Sequence, residues 1–97
     1  MGAVEQPVAD AEPRVAIVTG AAKGLGRAYA VGLARAGYAV VAADIAPVEP
    51  VVEEIDAAGG VGLAVRVDVG DEESTLALGA AALERFGRID VLVNNAE

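Results

Sequence analysis

Short continuous apolar runs alternate with longer stretches in which apolar residues return every third or fourth position, and this alternation organises the chain from residue 14 onward. Val15-Ala16-Ile17-Val18-Thr19 is apolar up to its last position and stops at Gly20, the pattern of a strand covered on both faces of a sheet. Over residues 24–36, Leu25, Tyr29, Leu33 and Ala36 recur close to helical spacing, and Gly37 supplies a residue that can close a helix in the left-handed conformation. Residues 38–44 predict a second strand, residues 51–58 a shorter helix ended by Gly59-Gly60, and residues 61–67 a third strand that gives way to Asp68. Asp71-Glu72-Glu73 place negative charge where a helix N-terminus favours it, and Leu76, Ala80, Leu83 and Phe86 carry helical spacing to Gly87. Residues 89–93 form a fourth apolar run that leads into Asn94-Asn95.

Strand, helix, glycine and strand again recur at roughly 25-residue intervals, as successive right-handed crossovers require. The segments share this architecture without sharing a residue signature, which sets aside a solenoid of sequence repeats. The expected fold is α/β: a Rossmann-type parallel sheet of strand order 3-2-1-4 with helices on both faces, ending after the fourth strand. Residues 1–13, acidic and punctuated by Pro7 and Pro13, have no period and are expected to form a disordered leader, leaving residues 14–97 as a partial dinucleotide-binding domain.

Composition narrows the chemistry. Apolar residues make up 55% of the chain and aromatics 3%, so the interior is expected to be built from Ala, Val, Leu and Gly, with helices lying close to the sheet. The formal charge of −8, with seven basic residues scattered among fifteen acidic ones, excludes a nucleic-acid surface. Cysteine and histidine are both absent, which removes disulfides and the usual zinc constellations. No basic-then-apolar leader marks a secretory signal and no apolar run has the length of a membrane span, so no membrane partner and a cytoplasmic location are expected.

The sharpest feature is Thr19-Gly20-Ala21-Ala22-Lys23-Gly24-Leu25-Gly26, between the first strand and the first helix. Gly20 offers a tight exit from the strand, Gly24 lets backbone amides approach a diphosphate with no Cβ in the way, and Gly26 permits close helix-to-sheet contact. The helix start adds free N–H donors and the positive end of its dipole. An acidic protein can therefore hold an anionic cofactor through oriented backbone groups, with Lys23 as the one added charge. A nucleoside-triphosphate loop is excluded, because Leu25 stands where its second glycine belongs and no Lys-Ser or Lys-Thr follows. The G-x-G-x-x-G spacing is not met either, since three residues separate Gly20 from Gly24.

Asp44 lies 24 residues beyond Gly20 at the end of the second strand, where a carboxylate can accept hydrogen bonds from the adenosine ribose hydroxyls. A 2′-phosphate would meet that charge at close range, so NAD(H) is expected over NADP(H). Lys23 works in the opposite direction, since a cation in the loop could serve a 2′-phosphate.

The pattern T-G-x-x-x-G-x-G at residues 19–26 resembles the cofactor motif of the short-chain dehydrogenase/reductase family. Asp68-Val69 is similar to the family's pair that meets the adenine ring, the carboxylate facing the exocyclic amine and the following backbone the ring. Asn94-Asn95-Ala96 is similar to its Asn-Asn-Ala-Gly element, which braces the sheet and lines the cofactor ribose; Glu97 stands where that element has glycine. The resemblance covers residues 14–96 and implies the N-terminal, cofactor-binding portion of an alcohol or ketone oxidoreductase. It implies Gly20, Lys23, Gly24, Leu25, Gly26, Asp44, Asp68, Val69 and Asn95 as cofactor-binding residues.

The same resemblance implies a catalytic Ser and a Tyr-x-x-x-Lys pair, in which the tyrosine exchanges a proton with the substrate oxygen. Neither is present. Tyr29 is followed four residues later by Leu33 and Tyr38 by Ala42, and the only lysine is Lys23, so no catalytic residue is assigned and the 97-residue chain is expected to be inactive alone. A non-catalytic dinucleotide-binding module and an adenosine-cofactor methyltransferase are the alternatives. The full-length parent is expected to be a homo-oligomer, and the isolated chain to self-associate or aggregate through the apolar fourth strand.

Overall fold

The computed structural model of the chain describes residues 13–96. The leader expected over residues 1–13 lies outside them apart from Pro13, as does Glu97. The elements are β1 (Val15–Thr19), α1 (Gly24–Arg35), β2 (Ala39–Asp44), α2 (Glu49–Ala57), β3 (Val61–Arg66), α3 (Glu72–Phe86) and β4 (Val91–Asn94). The strands form one sheet in the order β3-β2-β1-β4, every neighbouring pair parallel. This is the 3-2-1-4 order expected from the sequence.

The order explains the apolar runs. β1 has a strand on each side and helices on both faces, and all five of its residues are buried. In β2 only Asp44, the last residue, is less than fully buried. Alternate side chains divide between two cores. Val18, Val40 and Ala42 meet Ala30, Val31 and Ala34 of α1 and Val51 and Ile55 of α2 on one face. Val15, Ile17, Val41 and Ala43 meet Leu78 and Ala82 of α3 on the other, with Phe86 half-buried at the margin. Burial of each of these valines is worth about 1.5–3 kcal/mol, so two small helix-on-sheet layers carry most of the favourable free energy of folding.

Two helices, α1 and α3, turn inward a different face from the one the spacing of their larger residues suggests. Leu25 and Tyr29 of α1 are 67% and 44% exposed, while Gly26, Ala30, Val31 and Ala34 are buried. In α3, Leu76 and Leu83 are exposed and Leu78 and Ala82 form the inner stripe. A helix that lies close against a sheet must present small side chains to it, so the bulkiest apolar residues are displaced outward.

Two boundaries shift by two residues, and several others by one. α2 begins at Glu49, two residues before the start expected, because Pro50 sits in its first turn, where a missing N–H removes no helical hydrogen bond. β4 begins at Val91 and excludes Ile89, because Asp90 is committed to β1. Its carboxylate Oδ2 accepts the Val15 N–H at 2.8 Å, and its own N–H donates to the Val15 carbonyl at 2.8 Å. Arg88 donates to both carboxylate oxygens, at 2.8 and 2.7 Å.

The Arg88 bonds first, and the Val15 amide after them, hold the Asp90 carboxyl below its ordinary value of 3.8. A carboxyl lowered in the folded state contributes stability that is present above its unfolded pKa and is lost as pH falls through the folded one. Asp90→Asn is therefore expected to flatten the acid side of the stability curve. Urea midpoints followed from about pH 6 down to about pH 3 should fall more steeply for the unaltered chain than for the variant.

Candidate functional site

β1 delivers the chain to a turn that three glycines shape in different ways. Gly20 has φ +67° and is crowded: a Cβ there would lie 3.0 Å from both the Ala96 nitrogen and Asn95 Nδ2. Gly24 has φ +63°, a conformation that L side chains rarely adopt, and a Cβ there would meet nothing within 4 Å. Gly26 is buried against the turn itself, and a Cβ on it would collide with the Gly20 carbonyl and lie 2.7 Å from Asn95 Nδ2. Gly26 is thus the point of contact between α1 and the strand exit, and Gly24 leaves the helix start bare on its open side.

That start carries no competing group. Lys23 is the N-cap in extended conformation, no side chain caps the helix, and its first turn holds no acidic residue. α3 is the contrast: Asp71 accepts the Glu73 N–H at 3.1 Å, and Glu72 and Glu73 meet the dipole. The α1 terminus keeps its donors and its partial positive charge for something outside the chain.

Thr19 joins the turn to the end of β4. It is 4% exposed, and its Oγ1 accepts the backbone N–H groups of Asn95 at 3.1 Å and Ala96 at 3.3 Å. The hydroxyl proton faces the Asn94 Oδ1 at 3.3 Å and the Val93 carbonyl at 3.4 Å. Asn95 Nδ2 donates to the Gly20 carbonyl at 3.3 Å. Thr19 opens the glycine motif in the sequence but was not among the residues assigned to the site; the structure gives it the task of joining the turn to the end of β4.

Asp44 stands at the matching end of β2. Its Oδ2 accepts the Ala22 N–H at 2.9 Å and its Oδ1 the Ala46 N–H at 3.0 Å. Partial burial raises the carboxyl pKa, but the amides of Ala46, Ala22 and Ile45 and the charge of Lys23 together outweigh it, so the group is held below its ordinary value and stays ionised. Asp68 follows β3: its Oδ1 accepts the Gly70 N–H at 3.0 Å, and its backbone N–H donates to Ser74 Oγ at 2.9 Å.

These groups surround one open cleft of about 540 Å³. Gly20, Lys23, Gly24, Leu25, Asp44, Asp68, Val69 and Asn95 line it, with Gly26 buried beneath. Ile45, Val67 and Ala96 complete the lining; Ala96 belongs to the Asn-Asn-Ala element read from the sequence, and Ile45 and Val67 were not anticipated. The cleft lies off the carboxyl ends of the parallel strands, where β1 sits between β2 and β4 and the strand order reverses, the usual place for a ligand in an open α/β sheet. A bare helix terminus facing an ionised carboxylate across one cleft fits a diphosphate at one point and sugar hydroxyls at the other.

Short chain dehydrogenase, as a family, matches residues 14–97. The chain belongs to the short-chain dehydrogenase family. An uncharacterized oxidoreductase of Methylorubrum extorquens is 50% identical over 88 residues, which cover 88% of this chain and 36% of that protein. The 7alpha-hydroxysteroid dehydrogenase of Escherichia coli K12 is 41% identical over 85 residues, 86% of this chain and 33% of that protein. The crystal structure of a hydroxysteroid dehydrogenase from Escherichia coli superposes with a TM-score of 0.86 at 40% identity, covering 89% of this chain and 37% of that one. The chain spans about a third of the length of these short-chain dehydrogenase relatives.

Neither tyrosine of this short-chain dehydrogenase chain lines the cleft. Tyr29 is exposed on α1, and Tyr38 packs at the edge of the core on the α1 side of the sheet.

Gly26→Ala is expected to destabilise the fold by about 1–3 kcal/mol, because its methyl group meets backbone that cannot yield cheaply. Gly32→Ala, on the same helix but with open space around it, is expected to stabilise by roughly 0.5–1 kcal/mol. Paired denaturant titrations measure both signs in one experiment.

Proposed function

We propose that the chain binds NAD(H) in this cleft and forms the cofactor-holding part of an oxidoreductase that interconverts an alcohol and its ketone. The observation that carries the reading is the bare N-terminus of α1 opening onto the same cleft as the ionised Asp44. The amides at the start of α1 take the diphosphate, with Lys23 adding charge and Gly24 and Leu25 bounding the approach. Gly20 and Gly26 hold the turn in the shape that makes this possible. Asp44 accepts the hydroxyls of the adenosine ribose, Asp68 and the Val69 backbone take the adenine ring, and Asn95 lines the second ribose. When bound, the nicotinamide supplies hydride acceptance and donation. The chain's own residues bind and orient it.

No catalytic residue is assigned on this reading, because the 97 residues hold no Tyr-x-x-x-Lys. Among the described residues no helix is long and apolar enough to cross a membrane, and we place the protein in the cytoplasm on its composition. Leu92 is 61% exposed on β4, whose one neighbour among the described strands is β1; this supports self-association of the isolated chain.

NADH is expected to bind more tightly than NADPH by roughly tenfold, the size expected for a 2′-phosphate brought within a few ångströms of a partly exposed carboxylate. Asp44→Ala should narrow that ratio toward one in calorimetric titrations, and tighter binding of NADPH by the unaltered chain would overturn the preference. The purified 97-residue chain is expected to show no oxidation of NADH in the presence of a ketone; turnover proportional to protein concentration would sink the unassigned catalytic site.

A further inference from the structure

We infer that Asp44 is a positioning residue for the glycine loop as well as a ligand-facing one: its carboxylate fastens the loop to β2, so that the start of α1 is aimed before any ligand arrives. The inference rests on the dinucleotide reading for its effect on binding, but its geometry stands without a ligand.

Two hydrogen bonds tie the loop to the end of β2. The Ala21 N–H donates to the Ala43 carbonyl at 3.1 Å, and the Ala22 N–H donates to Asp44 Oδ2 at 2.9 Å. The first is backbone to backbone and survives any side-chain change. The second depends on the carboxylate, and it acts on the residue directly before Lys23, the N-cap of α1. Ala22 therefore sets the direction in which the chain enters the helix, and with it where the unpaired amides of the first turn point. On the other oxygen, the Ala46 N–H at 3.0 Å pins the carboxylate and limits its rotation.

Each carboxylate oxygen has a second lone pair, so accepting one amide leaves it able to accept a hydroxyl. The two roles are compatible, and they couple the sugar end of the cleft to the phosphate end through one side chain. If Asp44 acted only on the ribose, its removal would be silent toward a ligand that has no ribose hydroxyls. If it also holds the loop, its removal weakens that ligand too.

The test uses the 97-residue chain, ADP and 2′,3′-dideoxy-ADP, with Asp44→Ala as the variant. The unaltered chain is expected to bind ADP more tightly than the dideoxy compound. Asp44→Ala is expected to weaken the dideoxy compound by about tenfold, in the range set by loss of one charge-assisted hydrogen bond. Unchanged affinity for the dideoxy compound would overturn the inference.

A second readout needs no ligand. The Ala22 amide proton, bonded to a carboxylate, is expected downfield in the unaltered chain and to move upfield in Asp44→Ala, while the sheet amides of Ile17 and Val41 stay in place. An unmoved Ala22 resonance would equally refute the inference. Failure of the unaltered chain to bind either nucleotide would refute the dinucleotide reading, and the resonance alone would then decide the loop. Should Asp44→Ala not fold, Asp44→Asn serves: one carbonyl oxygen cannot accept both amides in the carboxylate's arrangement, so either the Ala22 or the Ala46 resonance moves and its partner stays. If both stay, the carboxylate is not the fastening.

Discussion

The approach of α1 to the exit of β1, with Gly26 in contact with the Gly20 carbonyl, is the constraint from which the rest of the arrangement follows. A helix lying that close to a sheet has room only for small residues on its inner side, and Ala30, Val31 and Ala34 supply them. It also brings its own N-terminus up to the strand ends, so that the bare amides of its first turn open onto the cleft and not onto bulk solvent. Packing and the shape of the cleft are thus served by one contact. The 55% apolar, 3% aromatic composition is what such a contact requires of the chain as a whole.

Around that contact, the polar groups of the site are fixed by bonds between segments distant in sequence. Thr19 holds the residues after β4, Asn95 holds the Gly20 carbonyl, and Asp44 holds Ala22. None of these residues is a bystander that merely faces the cleft: each is spent partly on shape. The electrostatics follow the same logic. A chain of formal charge −8 has no basic surface to offer an anion, but a helix terminus free of acidic residues, beside Lys23, provides a local exception.

Strand order and element count were legible because they depend on local rules, and motif and resemblance together named eight of the eleven residues that line the cleft. A buried parallel strand reads as a continuous apolar run, a left-handed turn demands glycine at Gly24, and an acid at a strand end falls where its strand stops. What escaped depends on tertiary distance. Which side of α1 faces the sheet is decided by how near the helix lies, and periodicity favours the large residues Leu25 and Tyr29 that the structure turns outward. The start of β4 was misplaced because Asp90 binds the first residue of β1, 75 positions away in the chain. Thr19 was read only as the first residue of the glycine motif, and its bracing role escaped for the same reason, since its partners are residues 95 and 96.

That last separation bears on how the molecule is made. β1 and the glycine loop leave the ribosome early, yet the backbone groups that complete them belong to residues 95 and 96. Contacts this distant in sequence carry a large loop-closure cost and form late in folding. Until residues 95 and 96 emerge, then, the nascent segment has its first layer of helix and sheet but an unfinished mouth, and the cleft takes its shape only when β4 docks beside β1.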